Sequence, residues 1–183
     1  TSPHLTEPTE RIRINGEPVT REQFAQAFQQ LHQVSEQLLR DGAIDMHPTY
    51  FESVTAMAYL LFRSQAVDTA ILETGMGGRL DATNVVEPLL SVITPIDFDH
   101  EKFLGNTIPL IAQEKAGIIK PGRPVVWSRQ HHEALAVLDA KARETGSQVI
   151  PAARWRVHHL ELHAYGSRFR ASGPNTAVEV DCP

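Results

Sequence analysis

"ILETGMGGRLDATNVV" (residues 71–86) places an apolar run, one carboxylate and three glycines within a few positions. The apolar part predicts a buried strand over 67–73 that ends at Glu73. A carboxylate at a buried strand tip is costly to desolvate unless it binds a cation or a hydrogen-bond donor. The glycines permit positive φ and close approach to a ligand. The stretch therefore predicts either a ligand-binding loop or a tight turn in which Asp81 is a cap.

Further apolar runs predict the rest of a sheet. Residues 89–96 and 123–127 lack the period-two alternation of a sheet with one wet face, so they predict strands covered on both sides. Residues 107–119 and 131–146 have helical patterns, and residues 147–152 predict one more strand. Strands and helices that alternate at this spacing predict an α/β fold, a parallel sheet flanked by helices.

Two helices are predicted before this sheet. Residues 20–40 carry apolar side chains at helical spacing behind Thr20, a candidate N-cap, and the helix should end near Asp41 and Gly42. Residues 48–65 form a second helix that is apolar on nearly all sides, so we expect it to be buried against the sheet.

The pattern changes after residue 152. Residues 153–183 alternate around a Gly-Ser turn and a Gly-Pro break, which predicts a β-meander. We therefore expect an α/β domain over 1–152 and a β-rich segment of the same domain over 153–183.

Composition excludes several classes of partner. The net charge of −5 and a pI near 6.0 argue against nucleic acid or an anionic membrane as the main partner. No apolar run approaches the roughly 20 residues that span a bilayer. The single cysteine, Cys182, excludes an internal disulfide and fits a reducing cytoplasm. The chain begins "TSPHLTEP", without Met or an apolar leader, which predicts a piece of a longer protein.

Polar clusters follow three predicted strands at their carboxyl ends, which is where ligands bind in open parallel sheets. They are Glu73 with its glycine loop, "DFDH" (97–100) and "SRQHH" (128–132). Glu73 and His100 would suit Mg²⁺ or Mn²⁺ if hydroxyl, water and phosphate oxygens complete the shell. Alternatively, His100 is a hydrogen-bonded structural residue.

Among the other titratable residues, Lys115 has two interpretations and the late histidines have one. Lys115 lies in an apolar helical stretch, where its stem could simply pack, or where burial could keep its amine neutral and reactive. We predict that the late histidines are surface residues: His131, His132, His158, His159 and His163.

Together these stretches resemble one family, the folylpolyglutamate synthases and dihydrofolate synthases of the Mur ligase superfamily. The resemblance covers most of residues 1–127 and becomes general after residue 128. It rests on "TSPHL" with "ERIRINGEPV", "TYFE", "ETGMGGRLDATNVV" and "ITPIDFDHEKFLGNTIPLIAQEKAGIIKPGRPVV", in the family's order and spacing. It implies a cytoplasmic enzyme with a fold like the Mur ligase central domain, here incomplete.

The resemblance also implies a reaction and a set of site residues. The family uses ATP to phosphorylate a pteroate or folate carboxylate, and the amine of L-glutamate then attacks the acyl phosphate. Ser2, Glu73 and His100 resemble the ligands of Mg²⁺ (or Mn²⁺), and Lys115 resembles a catalytic lysine that the family often carries as a carbamate. The residues that resemble the pterin-binding segments are Thr49, Tyr50, Phe51, Glu52, Leu80, Asp81 and Ala82.

One family feature is missing from these residues. The glycine-rich ATP loop of the family should precede "TSPHL", and no GxxxxGK[ST] pattern occurs here. We therefore expect that these 183 residues alone do not turn over ATP. Two alternatives remain open: a non-catalytic pterin-binding homologue, and another Mur-type amino-acid ligase.

Overall fold

The structure divides into two compact units, Thr1–Val86 and Glu87–Pro183. It is a computed structural model that describes residues 4–98, 100–164, 166–173 and 176–182. Two helices and a small hairpin form most of the first unit. The predicted boundary between 1–152 and 153–183 stays a prediction.

The hairpin precedes the first long helix. Strand β1 (Arg13–Ile14) pairs antiparallel with β2 (Glu17–Pro18), and a 3-10 turn at Pro8–Arg11 leads into it. Asn15 and Gly16 form the two-residue connection, with φ of 53° and 86°. Positive φ at both positions defines a type I′ turn, the Asn-Gly hairpin that matches the twist of the flanking strands.

Helices α1 (Arg21–Arg40) and α2 (Tyr50–Ser64) pack against each other. The Thr20 side chain accepts a hydrogen bond from Gln23 N, and α1 ends at Arg40 with Asp41 as its C-cap, so the predicted cap and end are confirmed. Both helices bury apolar side chains in one core, which also includes hairpin residues. The buried members of this core are Ile12, Val19, Ala27, Val54, Met57 and Leu61.

Within this unit, helix α2 packs on α1, the hairpin and a 3-10 turn at Ala82–Val85. That it is also buried against the sheet stays a prediction. One prediction for this unit is wrong. Residues 67–73 form no strand, and Ile71 is 92% exposed. An apolar run becomes a strand only where another strand pairs with its backbone groups, and an apolar pattern does not encode that partner.

The second unit contains the predicted parallel sheet. Strands β3 (Ser91–Ile93), β4 (Val125–Trp127) and β5 (Val149–Pro151) pair in that order, all parallel. Between β3 and β4 lie one helical turn, α3 (Glu101–Leu104), and helix α4 (Ile108–Ala116). Helix α5 (His132–Thr145) connects β4 to β5.

The core of this unit lies between the sheet and helices α4 and α5. Ile111 of α4, Val125 of β4 and Leu138 of α5 are each fully buried. The predicted alternation of strands and helices is therefore confirmed for residues 91–151. No helix in the described part of the chain is both long and apolar enough to cross a membrane.

The predicted β-meander is confirmed. After a 3-10 turn at Ala152–Arg154, strands β6 (Arg156–His163), β7 (Gly166–Ser172) and β8 (Ala177–Cys182) form an antiparallel sheet in sequence order. The register shifts between His158 and Glu161, and His159 there has a φ of 53°.

Candidate functional site

The segment "TYFE" forms the start of α2. Thr49 is its N-cap: its hydroxyl accepts from Glu52 N at 3.3 Å and donates to Glu52 Oε2 at 2.8 Å. Glu52 Oε2 also accepts from Thr49 N at 2.7 Å. These bonds, first the one from the Thr49 backbone and then the one from its hydroxyl, lower the pKa of Glu52. Thr49 and Glu52 therefore fix where α2 begins.

Tyr50 is connected to the N-terminal segment. The Arg11 guanidinium carbon lies 5.5 Å from the centre of the exposed Tyr50 ring, within the range of a cation–π contact. Arg11 Nε also donates to His4 Nδ1 at 3.0 Å. His4 belongs to the "TSPHL" stretch, so Arg11 links that stretch to the first turn of α2.

Phe51 packs on the glycine loop. A Cβ at Gly75 would lie 2.5 Å from Cζ of Phe51 and 2.8 Å from Cε1 and Cε2. No side chain fits between them, so close approach to this ring is what requires glycine at residue 75. Gly77 is required for a different reason, because its φ is 69°.

Asp81 closes the same loop. Its Oδ2 accepts from Gly75 N at 3.0 Å and from Met76 N at 2.9 Å. Its Oδ1 accepts from Thr83 N at 3.0 Å and from the Thr83 hydroxyl at 2.6 Å. Of its neighbours, Leu80 is exposed and Ala82 is half-buried. Asp81 is thus the N-cap of the 3-10 turn at Ala82–Val85, and its role in binding substrate stays a prediction.

Tyr59 ties α2 to the end of this loop. Its hydroxyl donates to Thr83 O at 3.1 Å. Burial, and secondarily the charge of Asp81, raises the pKa of Tyr59, so the hydroxyl remains a donor. Phe51, Thr55 and Tyr59 are spaced four residues apart and therefore share one face of α2. That spacing is the sequence signal by which this face could have been found.

The predicted metal ligands lie in three parts of the chain. Ser2 is outside the described residues. Glu73 is exposed and lies two residues before the Phe51 contact at Gly75. His100 is exposed, follows β3, and precedes α3 with a φ of 49° and a ψ of 36°. A left-handed backbone is uncommon for a residue with a side chain and is enriched at functional sites. That these residues share one ion stays a prediction.

Lys115 lies in the last turn of α4 and is half-buried. Ile111, Ala112 and Ala116 beside it on the helix are fully or almost fully buried. The stem of Lys115 is therefore partly packed, as both interpretations of this residue require. Its catalytic role stays a prediction.

The late histidines are exposed, as predicted. His131, His132 and Glu133 form the one group of three metal-ligand side chains that lie within 4.8 Å of one another in the described residues. His131 is the N-cap of α5, and its Nδ1 accepts from Glu133 N at 3.4 Å. This hydrogen bond gives His131 a structural role at the helix start.

Comparison with known proteins defines the class and then the family. The chain has the Mur ligase fold: it superposes on a folylpolyglutamate synthase–AMPPCP–folate complex with a TM-score of 0.89 at 39% identity, over 99% of this chain and 44% of that one. It is 42% identical over 170 residues to folylpolyglutamate synthase of Lacticaseibacillus casei, covering 92% of this chain and 40% of that protein. With dihydrofolate synthase/folylpolyglutamate synthase of Bacillus subtilis (strain 168) it shares 48% identity over 143 residues, 78% of this chain and 33% of that protein. No family model matches the chain.

The chain belongs, over the part that it spans, to the folylpolyglutamate synthase and dihydrofolate synthase family. It spans about 40% or less of the length of these curated relatives.

Proposed function

We propose that the protein carrying this chain is a cytoplasmic, ATP-dependent ligase that joins L-glutamate to dihydropteroate, to folates or to both. The observation that carries the proposal is the 42% identity to a folylpolyglutamate synthase over 92% of the chain. The fold it shares with a folylpolyglutamate synthase bound to AMPPCP and folate supports ATP and a folate as ligands.

The substrate ring would bind beside the first turn of α2. Tyr50 and Leu80 are exposed, and the two segments that carry them are joined through the contact of Phe51 with Gly75. An exposed aromatic ring and an exposed apolar side chain are the kinds of group that suit a flat heterocycle. The capping pair of Thr49 and Glu52 holds this turn in place before substrate arrives.

Glu73 and His100 would bind Mg²⁺ or Mn²⁺, together with Ser2. Their chemistry fits: carboxylate, hydroxyl and imidazole ligands with water and phosphate oxygens suit these ions. Glu73 is accessible, and the left-handed backbone at His100 is the kind of strain found at ligand sites. When bound, the ion neutralises charge on the ATP phosphates during phosphoryl transfer.

The chain's own residues would support the two chemical steps. The substrate carboxylate attacks the γ-phosphorus of ATP and ADP leaves; the glutamate amine then attacks the acyl carbon and phosphate leaves. Lys115, half-buried in the last turn of α4, would react through its neutral amine with CO₂ to give a carbamate and a proton. The resulting anion would then help to hold the cation.

The test is a ligation assay on the protein that carries these residues. We expect ADP release that requires Mg²⁺, glutamate and a pteroate or folate, with a product one glutamate longer by mass spectrometry. Pteroate binding without an ATP-dependent product would instead indicate a non-catalytic homologue. Ligation of an amino acid to an unrelated acid would indicate another Mur-type ligase.

A further inference from the structure

We propose that His131, His132 and Glu133 form a binding site for a divalent transition metal, with Zn²⁺ as the expected ion. The three residues lie at the start of α5, after β4, and all three are exposed. The site shares no residue with the proposed Mg²⁺ ligands. It does not depend on the proposed ligation reaction, and a bound ion would stabilise the start of α5.

The first argument is the kind of ligand that these residues offer. Zn²⁺ is commonly bound by imidazole nitrogens and carboxylate oxygens, with water in the remaining position. A pair of imidazoles favours zinc, copper or nickel over magnesium. In the described part of the chain, no other three histidine, cysteine or acidic side chains bring their ligand atoms within 4.8 Å of one another. The cluster therefore has the chemistry of a transition-metal site.

The second argument is the distance between two of the ligand atoms. His131 Nδ1 accepts from Glu133 N at 3.4 Å, so this nitrogen carries a lone pair, and Glu133 Oε2 lies 3.5 Å from it. Two acceptor atoms thus face each other, and a cation between them would bind to both. Bonds of about 2.1 Å at a tetrahedral angle hold two ligand atoms about 3.4 Å apart. The observed separation is therefore close to the one that a tetrahedral zinc ion requires.

The third argument is that His132 is close enough to join the other two ligands. The ring centres of His131 and His132 are 4.3 Å apart, and the rings are tilted by 44°. A ligand atom of His132 lies within 4.8 Å of those of its two neighbours, so it has to move by about 1.5 Å or less to complete the site. Because all three side chains are exposed, rotation about their side-chain bonds can supply this movement.

The backbone that carries these ligands is held on both sides. Before the site, the Gln130 side chain donates to Thr94 O and accepts from Ile96 N, both at 2.9 Å, which ties this segment to the chain after β3. After the site, the fully buried Ala134 and Leu138 anchor α5 in the core. Metal binding therefore has to order only side chains, and a lower cost of ordering raises affinity.

The dipole of α5 opposes a cation at this end of the helix. Solvent screens that field at an exposed helix start, and the Glu133 carboxylate supplies a compensating charge. The site also offers three protein ligands, whereas a closed structural zinc site has four. We therefore expect a dissociation constant on the order of 10 µM, which is much weaker than that of a structural zinc site.

The test is isothermal titration calorimetry of the chain with ZnCl₂. We expect one ion to bind at this affinity, without competition from millimolar Mg²⁺, and His132→Ala and Glu133→Gln should each weaken binding at least about tenfold. His47→Asn is the matched control, because it removes an imidazole that lies 3.4 Å from the Glu36 carboxylate in the first unit. It should leave the affinity unchanged. Unchanged binding in His132→Ala or Glu133→Gln, or an equal loss in His47→Asn, would overturn the proposal.

Thermal unfolding with and without ZnCl₂ is a second test that also reports whether each variant folds. His131→Ser removes the imidazole and retains a good N-cap, so it should fold like the wild type. With free Zn²⁺ tenfold above its dissociation constant, we expect the Tm of the wild type and of His47→Asn to rise by about 3 °C or more. The Tm of His131→Ser and Glu133→Gln should not rise. An equal rise in all four proteins, or no rise in the wild type, would contradict the site.

Discussion

Replacing Gly75 with alanine should force Phe51 out of its position. The new Cβ would lie 2.5–2.8 Å from three ring atoms, whereas carbon atoms pack best at about 3.5–4.0 Å. The ring tip must therefore withdraw by about 1 Å. Forcing an extra methyl group into a packed contact costs typically about 1–3 kcal/mol, so we expect Gly75→Ala to lower the free energy of unfolding by about 2 kcal/mol.

The assay is urea denaturation followed by circular dichroism, with the free energy of unfolding compared between variants. Phe51→Leu lacks the ring atoms that meet the new methyl group. In that background, Gly75→Ala should cost less than about 0.5 kcal/mol, which gives a coupling energy of about 1.5 kcal/mol.

Gly122→Ala is the control. Gly122 has a φ of +67° and nothing within 4 Å of an added Cβ. Its substitution should cost about 1 kcal/mol through backbone strain alone, with or without Phe51→Leu. If Gly75→Ala is as stable as the wild type, or loses equal stability in both backgrounds, the Phe51 contact does not explain this glycine.

Three other predictions concern the same unit. Thr49→Ala should lower the free energy of unfolding by about 1 kcal/mol in urea denaturation because α2 loses its N-cap, while Thr49→Ser should not. Glu10 has a pKa lowered to about 2, chiefly by the Thr6 hydroxyl and then by backbone N–H groups. The stabilisation that the Glu10 carboxylate provides should therefore be complete above pH 4.5 and be lost as the pH falls towards 2. The measurement is amide exchange of the backbone N–H groups that donate to Glu10. Glu10→Gln should abolish this pH dependence. Tyr59 has a raised pKa, so its contribution to the free energy of unfolding should be lost as the pH rises above 10. Tyr59→Phe should remove this loss at high pH. At pH 7 the same variant should lower the free energy of unfolding by about 1 kcal/mol, because the hydrogen bond to Thr83 O disappears.

The starts of the two long helices and two of the parallel strands could be predicted from local sequence patterns. Thr20 and Thr49 each precede, by three residues, a Gln or Glu that completes a capping box, and both helices start there. The parallel strands at residues 91–93 and 125–127 also follow from unbroken apolar runs. Such features depend only on neighbours in the chain.

Features that depend on distant partners could not be predicted in this way. Residues 67–73 have the composition of a strand but pair with no strand among the residues that the structure describes. The contact of Phe51 with Gly75 joins residues far apart in sequence, so neither local pattern reveals it. The four hydrogen bonds that Asp81 accepts within its loop also depend on the folded backbone, and the sequence does not reveal them.

In the proposed glutamate-adding ligase, Glu73 and His100 would bind one divalent ion. The most direct measurement is the Mg²⁺ concentration dependence of ligation in the wild type, Glu73→Gln, His100→Asn and the double variant. We predict that each single variant needs at least about tenfold more Mg²⁺ and that the double variant is little worse than either, because both remove the same site. An unchanged Mg²⁺ requirement in either single variant, or fully additive defects, would contradict the claim.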